Sequence, residues 1–230
     1  MPSKLNVIIG CEESGVIRDA FARLGHNAWS CDLKPTKIPG QHHKGDIFEF
    51  LESKEWDLGI FHPPCRYLAV TGNKWLYHPG DTKLRWQDRR PHPNHPNRWE
   101  LRKEAAVFFL RLARWEMKMK CTENPVCIMS SLWKQPSQII CPTDYGHKEP
   151  KKTCLWLEGL PLLLPTKKVE PEYHKTKSGK NVPKWIFFAD RSGGDEKRRE
   201  IRSGTFQGVA DAMADQWTRY EPVHQFEIFK

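Results

Sequence analysis

The residues with most chemical potential stand at the ends of two apolar runs. Cys65 closes the run Trp56-Asp-Leu-Gly-Ile-Phe-His-Pro-Pro-Cys65. Trp56 to Phe61 is apolar and of strand length, and it is stopped by two prolines that cannot continue a sheet. The thiol therefore stands just past a strand's carboxyl end, the edge at which open α/β sheets bind ligands. Most free cysteines behave as small hydrophobes, but a thiol displayed there is a candidate nucleophile. Glu123 closes a second apolar stretch, Cys121-Thr-Glu-Asn-Pro125, where another strand would deliver it to the same edge. Cysteine and glutamate would then face one crevice, nucleophile beside acid.

The elements that must position them begin at Leu5. Leu5 to Ile9 is a β-branched, apolar run followed by Gly10-Cys-Glu-Glu-Ser-Gly15, then by Val16, Ile17, Ala20, Phe21 and Leu24 on one helical face. Ser14 is placed to cap that helix and Gly25 to close it. Strand, glycine-containing turn and helix form a unit whose backbone can approach a nucleotide-like ligand, although GxGxxG itself is absent. Asn27 to Cys31 reads as a second strand with Asp32 at its end, the place where doubly wound folds bind ribose hydroxyls. After a loop from Pro35 to Gly40, Gly45-Asp46-Ile47-Phe48 puts Asp46 at a third strand end, where it could accept from an adenine amino group. Taken singly, such acids are more often caps or turn residues; their recurrence at strand ends is what points to a ligand.

Composition bounds the class. The 230 residues suit one domain with a small appendage. Seven cysteines without a CxxC pair indicate neither a zinc ribbon nor a disulfide framework. No signal-peptide pattern opens the sequence and no apolar run could span a bilayer, so a soluble cytoplasmic protein is expected. The net charge of +9 is concentrated: residues 66–103 hold nine Lys/Arg against three Asp/Glu, and residues 166–202 eleven against six. Two basic segments on an otherwise nearly neutral chain are the footprint of a phosphate-binding face, although charge runs often only solvate a surface.

The first basic segment, Arg66 to Arg98, interleaves Trp75, Trp86 and Trp99 with Lys74, Lys83, Arg85, Arg89, Arg90 and Arg98. So long a loop is generally functional or disordered, and cations with indoles suit phosphates and bases. A mobile flap closing on nucleic acid is expected. Its histidines, 78, 92 and 95, and His62 before it have no metal-ligand spacing, so no metal is expected. Leu101, Ala105, Phe108, Phe109, Leu112 and Trp115 then repeat as an amphipathic covering helix. Val209, Ala210, Ala212, Met213 and Trp217 mark a closing one. Trp185-Ile-Phe-Phe-Ala189 reads as a strand, and Asp190 to Arg199 as an exposed turn.

In this order and spacing, the Gly10 to Gly15 turn, Asp32, Gly45-Asp46-Ile47, Pro64-Cys65, Glu123-Asn124, Lys151-Lys-Thr-Cys-Leu-Trp-Leu157 and Arg202-Ser-Gly-Thr-Phe-Gln-Gly-Val-Ala210 resemble the cytosine-5 DNA methyltransferases, particularly the short phage-type members. The resemblance spans nearly the whole chain. Departures are Arg66 for the usual Gln, Pro125 for Val, Lys151-Lys152 for an arginine pair, and Gly10-Cys11-Glu12 in place of an aromatic-Gly-x-Gly turn.

The resemblance implies that Cys65 adds as thiolate to carbon 6 of a flipped cytosine and that Glu123, kept protonated or sharing a proton by burial against the base, serves ring nitrogen 3. Arg66, and Lys151 or Lys152, would hold the pyrimidine oxygen or a phosphate and lower the thiol pKa. S-adenosylmethionine is the implied cofactor, with Gly10, Glu12, Ser14, Gly15 and Thr205 at its methionine part, Asp32 at the ribose, Asp46 and Ile47 at the adenine, and His62 and Pro63 also lining the site. Lys74, Arg85, Arg89, Arg90, Arg98, Lys175, Lys177 and Lys180 are the expected DNA contacts.

The expected fold is α/β, a Rossmann-like methyltransferase with a mostly parallel sheet. Residues 1–165 form the core, 166–202 a small basic recognition insertion, and 203–230 a returning helix. The expected function is cytosine-5 methylation of DNA by a monomer. RNA methylation, transfer of a variant methyl group, and a non-catalytic DNA-binding relative stand as alternatives.

Overall fold

The sheet grows outward from β1 (Asn6–Gly10). A computed structural model describes residues 4–191, 193–194, 197–198, 201–202 and 204–219; Ser192, Arg199 and Ser203, which belong to the expected 190–199 turn, the basic set and the closing motif, lie outside them. β1 pairs in parallel with β2 (Asn27–Asp32) on one side and with β4 (Leu58–Phe61) on the other. β3 (His42–Lys44) extends the first side, and β5 (Met119–Pro125) the second. β7 (Thr153–Glu158) then runs antiparallel between β5 and β6 (Gln138–Ile140). The seven-stranded order is β3-β2-β1-β4-β5-β7-β6, a mostly parallel, Rossmann-like α/β sheet flanked by helices.

Alternation along the strands sorts the core into two faces. Val7 and Ile9 of β1 and Leu58 and Ile60 of β4 pack with α1 (Val16–Arg23) and α6 (Gln207–Thr218). Ile8 and Phe61 face the other way, against α2 (Ile47–Glu52) and α3 (Arg98–Ala113). Trp217, Phe21 and Ile17 are fully buried on the first face, and each large apolar side chain so buried contributes about 1.5–3 kcal/mol. Gly10 is required by packing, because a Cβ there would lie 2.8 Å from Phe61 and 2.9 Å from Ile47.

Three readings are corrected. Leu24 is not on the buried face of α1; it follows the helix end and is half exposed. α3 buries Phe109 and Leu112 but also Arg98 and Arg102, so its inward face is not uniformly apolar, and Trp115 lies beyond its end. Trp185 to Ala189 is the helix α5 (Lys184–Ala189), entered after Pro183. It follows a two-stranded antiparallel hairpin, β8 (Tyr173–Lys175) with β9 (Asn181–Pro183). Between β5 and β6 lies one short helix, α4 (Met129–Leu132).

The chain from Cys65 to α3 has no long regular element, but it is extensively bonded. Short 3-10 turns at 70–75, 79–81 and 86–88 are joined by a bridge between Tyr77 and Pro91. Leu68 and Leu76 are buried within it. Asp81, 3% exposed, receives the backbone N–H and guanidinium of Arg90.

Candidate active site

β1 and β4 are neighbours whose chains leave in opposite directions, one toward β2 and the other toward β5. This is the switch point beyond which such sheets open a crevice. Gly10 ends β1, and the His62 N–H donates to its carbonyl at 2.9 Å, so the two strand ends are held level. Prolines 63 and 64 end β4, and Cys65 opens a single helical turn: its carbonyl accepts from Leu68 N and Ala69 N. The Asn124 side chain, 1% exposed on β5, donates to the Pro63 carbonyl at 2.7 Å. The strand that carries Glu123 thereby fixes the turn that carries Cys65.

His62 and Glu123 meet: Nδ1 and Oε2 are 2.6 Å apart, with side chains 14% and 17% exposed. Burial pushes the Glu123 carboxyl up, but the His62 hydrogen bond and charge, with Lys151, outweigh it and bring it below the usual carboxylate range. Glu123 is therefore ionised and accepts the proton of His62 Nδ1. Of the two expected states, a protonated carboxyl or a shared proton, the geometry favours the shared one, and the partner is a histidine sixty-one residues away in sequence. His62 Nε2 is buried and has no partner among the described residues.

The Cys65 thiol is raised above its ordinary value, first by burial and then by the Glu123 charge; Lys151, a backbone hydrogen bond and Arg202 act in the opposite direction. Lys151 thus acts on the thiol as expected, but it does not prevail. His62, Glu123, Lys151, Thr153 and Thr205 line one pocket, closed on the helix side by Ile17 and Met213. Lys152 is exposed outside that lining. Arg66 is not among the charges acting on Cys65 and lines a different pocket. Of the two lysines offered, Lys151 is the one that bears on the thiol, and the expectation that Arg66 also lowers its pKa is corrected.

The acids of the first three strands converge beside this crevice. Asp32 and Asp46 both raise the Cys11 thiol, after burial, and both raise the Cys31 thiol, which burial helps bring to about 12. The bland roles are real as well: Asp46 Oδ1 caps α2 by accepting from Phe48 N and Glu49 N, and Asp32 Oδ1 accepts from Lys34 N. Ile47 is the first residue of α2 and is buried against Gly10. Glu12, 4% exposed, accepts through Oε1 from Ser14 Oγ and from Ile17 N, while Oε2 is buried without a partner. Ser14 in turn accepts from Val16 N, and Gly15 takes φ 74° at the helix start. Cys11 takes φ 60°, a left-handed conformation rare for a side chain with a Cβ.

Among the expected DNA contacts, Lys74 and Arg85 are exposed. Lys175, Lys177 and Lys180 are exposed about the β8–β9 hairpin, whose tip turns at Gly179. Arg89 donates to the Leu84 and Thr82 carbonyls, and Arg90 is ion-paired with Asp81. Arg98 differs from the others in being 7% exposed, donating to the Arg66 carbonyl.

Residues the sequence reading missed include Arg18. Its fully buried side chain pairs with Asp19 and donates to Ser30 Oγ, Thr36 Oγ1 and the Ile38 and Pro39 carbonyls, holding the loop after β2. A guanidinium four residues into a helix reads as solvent-facing unless the remote carbonyls are known. Among the described residues no helix is long and apolar enough to cross a membrane, and no group of three His, Cys, Asp or Glu is placed to hold a metal.

No family profile and no curated protein matches the chain. A solved structure from E. coli, of a candidate DNA modification methyltransferase encoded within a prophage, is similar at 15% identity and a TM-score of 0.42, covering 73% of this chain. The present chain spans about half the length of that structure, 52%.

Proposed function

We propose that the protein is a DNA cytosine-5 methyltransferase. The observation that carries this reading is the meeting, at the β1/β4 switch point, of a thiol, a carboxylate–imidazole pair and a lysine beside an acid-rich turn. Cytosine carbon 5 is a poor nucleophile, and it is activated when a thiolate adds to carbon 6. Cys65 forms that carbon–sulfur bond, and the negative charge passed into the ring is relieved by a proton at nitrogen 3. The proton comes from the His62–Glu123 pair, where it rests on Nδ1. Lys151 offsets the negative charge that accumulates between thiolate and carboxylate. After carbon 5 has been methylated, loss of its proton expels the Cys65 sulfur and restores the aromatic ring.

The residues of the glycine-containing turn fit S-adenosylmethionine. The orphaned Glu12 Oε2 is a buried acceptor suited to the methionine ammonium, Asp32 to the ribose hydroxyls, and Asp46 to the adenine amino group. Thr205, on the pocket wall, would stand at the methionine end. When bound, this cofactor supplies an electrophilic methyl group on a sulfonium.

The test is nucleoside mass spectrometry on DNA from cells expressing the wild-type chain or Cys65→Ala. The expected result is 5-methylcytosine with the first and none with the second. Its absence from both, with no heavier cytosine adduct, would overturn the proposal.

A further inference from the structure

The segment between Cys65 and α3 buries positive charge without an opposing charge. Arg98 is 7% exposed and Arg102, one turn further along α3, is 5% exposed. Among the described residues their hydrogen-bond partners are neutral: Arg98 Nη2 donates to the Arg66 carbonyl at 3.1 Å, and Arg102 donates to the Tyr67 carbonyl at 2.8 Å and to Asn73 Oδ1 at 2.7 Å. Arg98 Nε is buried with no partner at all. A guanidinium withdrawn from water and left without an anion is costly, so buried cations are normally paired. Burial depresses the Arg98 pKa; Tyr67 opposes the shift and Arg66 adds to it.

Arg98 shares a pocket with Arg66. Arg66, Tyr67, His95, Asn97 and Arg98 line a cavity of about 190 Å³ at the start of the sixteen-residue α3, several times the roughly 30 Å³ share of one water. The guanidiniums of Arg66 and Arg98 lie 5.2 and 5.3 Å from the Tyr67 ring centre. No side chain caps α3, so its amino end adds partial positive charge. Gly72 leaves room for the guanidinium: a Cβ there would come within 2.5 Å of Arg98 Nη2. Arg66 directly follows Cys65.

We propose that this pocket binds one phosphate of the DNA backbone, the phosphodiester beside the base presented to Cys65. That the phosphate belongs to DNA rests on the proposed function; that the pocket takes a phosphate anion rests on its own cations. The orphaned Arg98 Nε and the exposed Arg66 supply planar donors matched to phosphate oxygens. The pocket positions the strand and does not read its sequence.

The test is the salt dependence of binding to a cytosine-containing duplex, followed by fluorescence anisotropy between 50 and 200 mM salt for wild type, Arg66→Ala, Arg98→Lys and the exposed Lys103→Ala outside the pocket. Arg66 is exposed, so its truncation leaves the core intact. Each lost phosphate contact reduces the slope of log K against log salt by about 0.9. That reduction is expected in Arg66→Ala, with weakened binding in Arg98→Lys and wild-type behaviour in Lys103→Ala. A wild-type slope in Arg66→Ala would overturn the proposal, as would a wild-type protein with no salt-dependent DNA binding. Inorganic phosphate separates the sources: thermal stabilisation of wild type but not Arg66→Ala, without a slope change on DNA, means a site for free phosphate and also overturns it. Loss of slope in Arg66→Ala, with no 5-methylcytosine formed by wild type, would refute the proposed reaction and leave the phosphate site standing.

Discussion

His62→Ala should invert the way Glu123 contributes to stability as pH changes. In the wild type the Glu123 carboxyl lies below its ordinary value despite burial, because His62 and, more weakly, Lys151 favour its charged form. A carboxyl depressed in the folded state binds fewer protons there than in the unfolded chain. Its stabilisation is therefore present above the unfolded value of 4.5 and is lost as pH falls through the lower folded value. Removing the imidazole leaves burial as the dominant influence, with only Lys151 opposing it. The folded carboxyl then rises above 4.5, and its contribution falls as pH rises. Both side chains are less than one-fifth exposed, so screening by solvent is slight. Leaving one partner of such a pair buried and uncompensated costs about 3–5 kcal/mol, and the 2.6 Å charge-assisted hydrogen bond accounts for about 1.5–3 kcal/mol of that. The assay is urea unfolding of wild type, His62→Ala, Glu123→Gln and the double variant between pH 4.5 and 8. The His62→Ala penalty should be about 3 kcal/mol near neutrality and should shrink toward acid; the cycle with Glu123→Gln should show at least ~1.5 kcal/mol of coupling. A penalty independent of pH, or coupling near zero, would refute the pairing and with it the ionised state of Glu123.

Arg18→Met should destabilise the fold by about 3–5 kcal/mol in urea, since it removes a fully buried cation that pairs with Asp19, bonds Ser30 of β2 and holds the 33–40 loop by three further hydrogen bonds. A loss below ~1 kcal/mol would show that these bonds are readily replaced by water. Lys151→Met should slow alkylation of Cys65 by iodoacetamide at pH 8, because Lys151 lowers the thiol pKa; peptide mapping by mass spectrometry measures it, and an unchanged or faster rate would refute that influence. Asn124→Leu should cost ~2 kcal/mol for the lost buried amide bond to Pro63. It should also raise hydrogen exchange in the turn after β4, and unchanged exchange there would show that the prolines alone hold the turn.

The strands were legible where period and punctuation agreed. Leu58 to Phe61 is a short apolar run stopped by Pro63 and Pro64, and it is β4. Asn27 to Cys31 reads as a strand with Asp32 at its end, and β2 is Asn27–Asp32. Trp185 to Ala189 misled because four β-branched and aromatic residues followed by an alanine do not distinguish strand from helix by period; after the hairpin the chain turns helical, and Phe187 stacks on His174 with ring centres 3.6 Å apart. The candidate site was legible in its residue types and strand ends, but not in its pairings. From sequence His62 is expected only to line the cofactor site, and its partner is set by how β4 and β5 align: Phe61 lies opposite Thr122, so His62 and Glu123 follow side by side. The buried arginines were illegible for a related reason. Arg18, Arg98 and Arg102 sit at helix positions that ordinarily face water, and the carbonyls that draw them inward lie about 20 to 35 residues away in sequence.

The charge state of the resting site is the reverse of what addition to cytosine requires, and this has a mechanistic consequence. The thiol is held protonated by burial and by Glu123, while the carboxylate is held ionised by His62 and Lys151. Addition needs a thiolate and a proton on ring nitrogen 3. In the proposed reaction, a proton given to the ring leaves the His62–Glu123 pair one proton short at the moment when Cys65 must lose one. If the pair accepts the thiol's proton as it gives its own, the pocket's net charge does not change through the addition, and no buried charge is created. Separate ionisation of the thiol first would instead place a second anion beside Glu123, offset among the described residues by Lys151, a backbone hydrogen bond and Arg202, which together do not outweigh burial and Glu123. Burial makes that route the more costly one. The raised thiol and the ionised carboxylate are thus compatible with catalysis because each is the starting state of a transfer that the other completes.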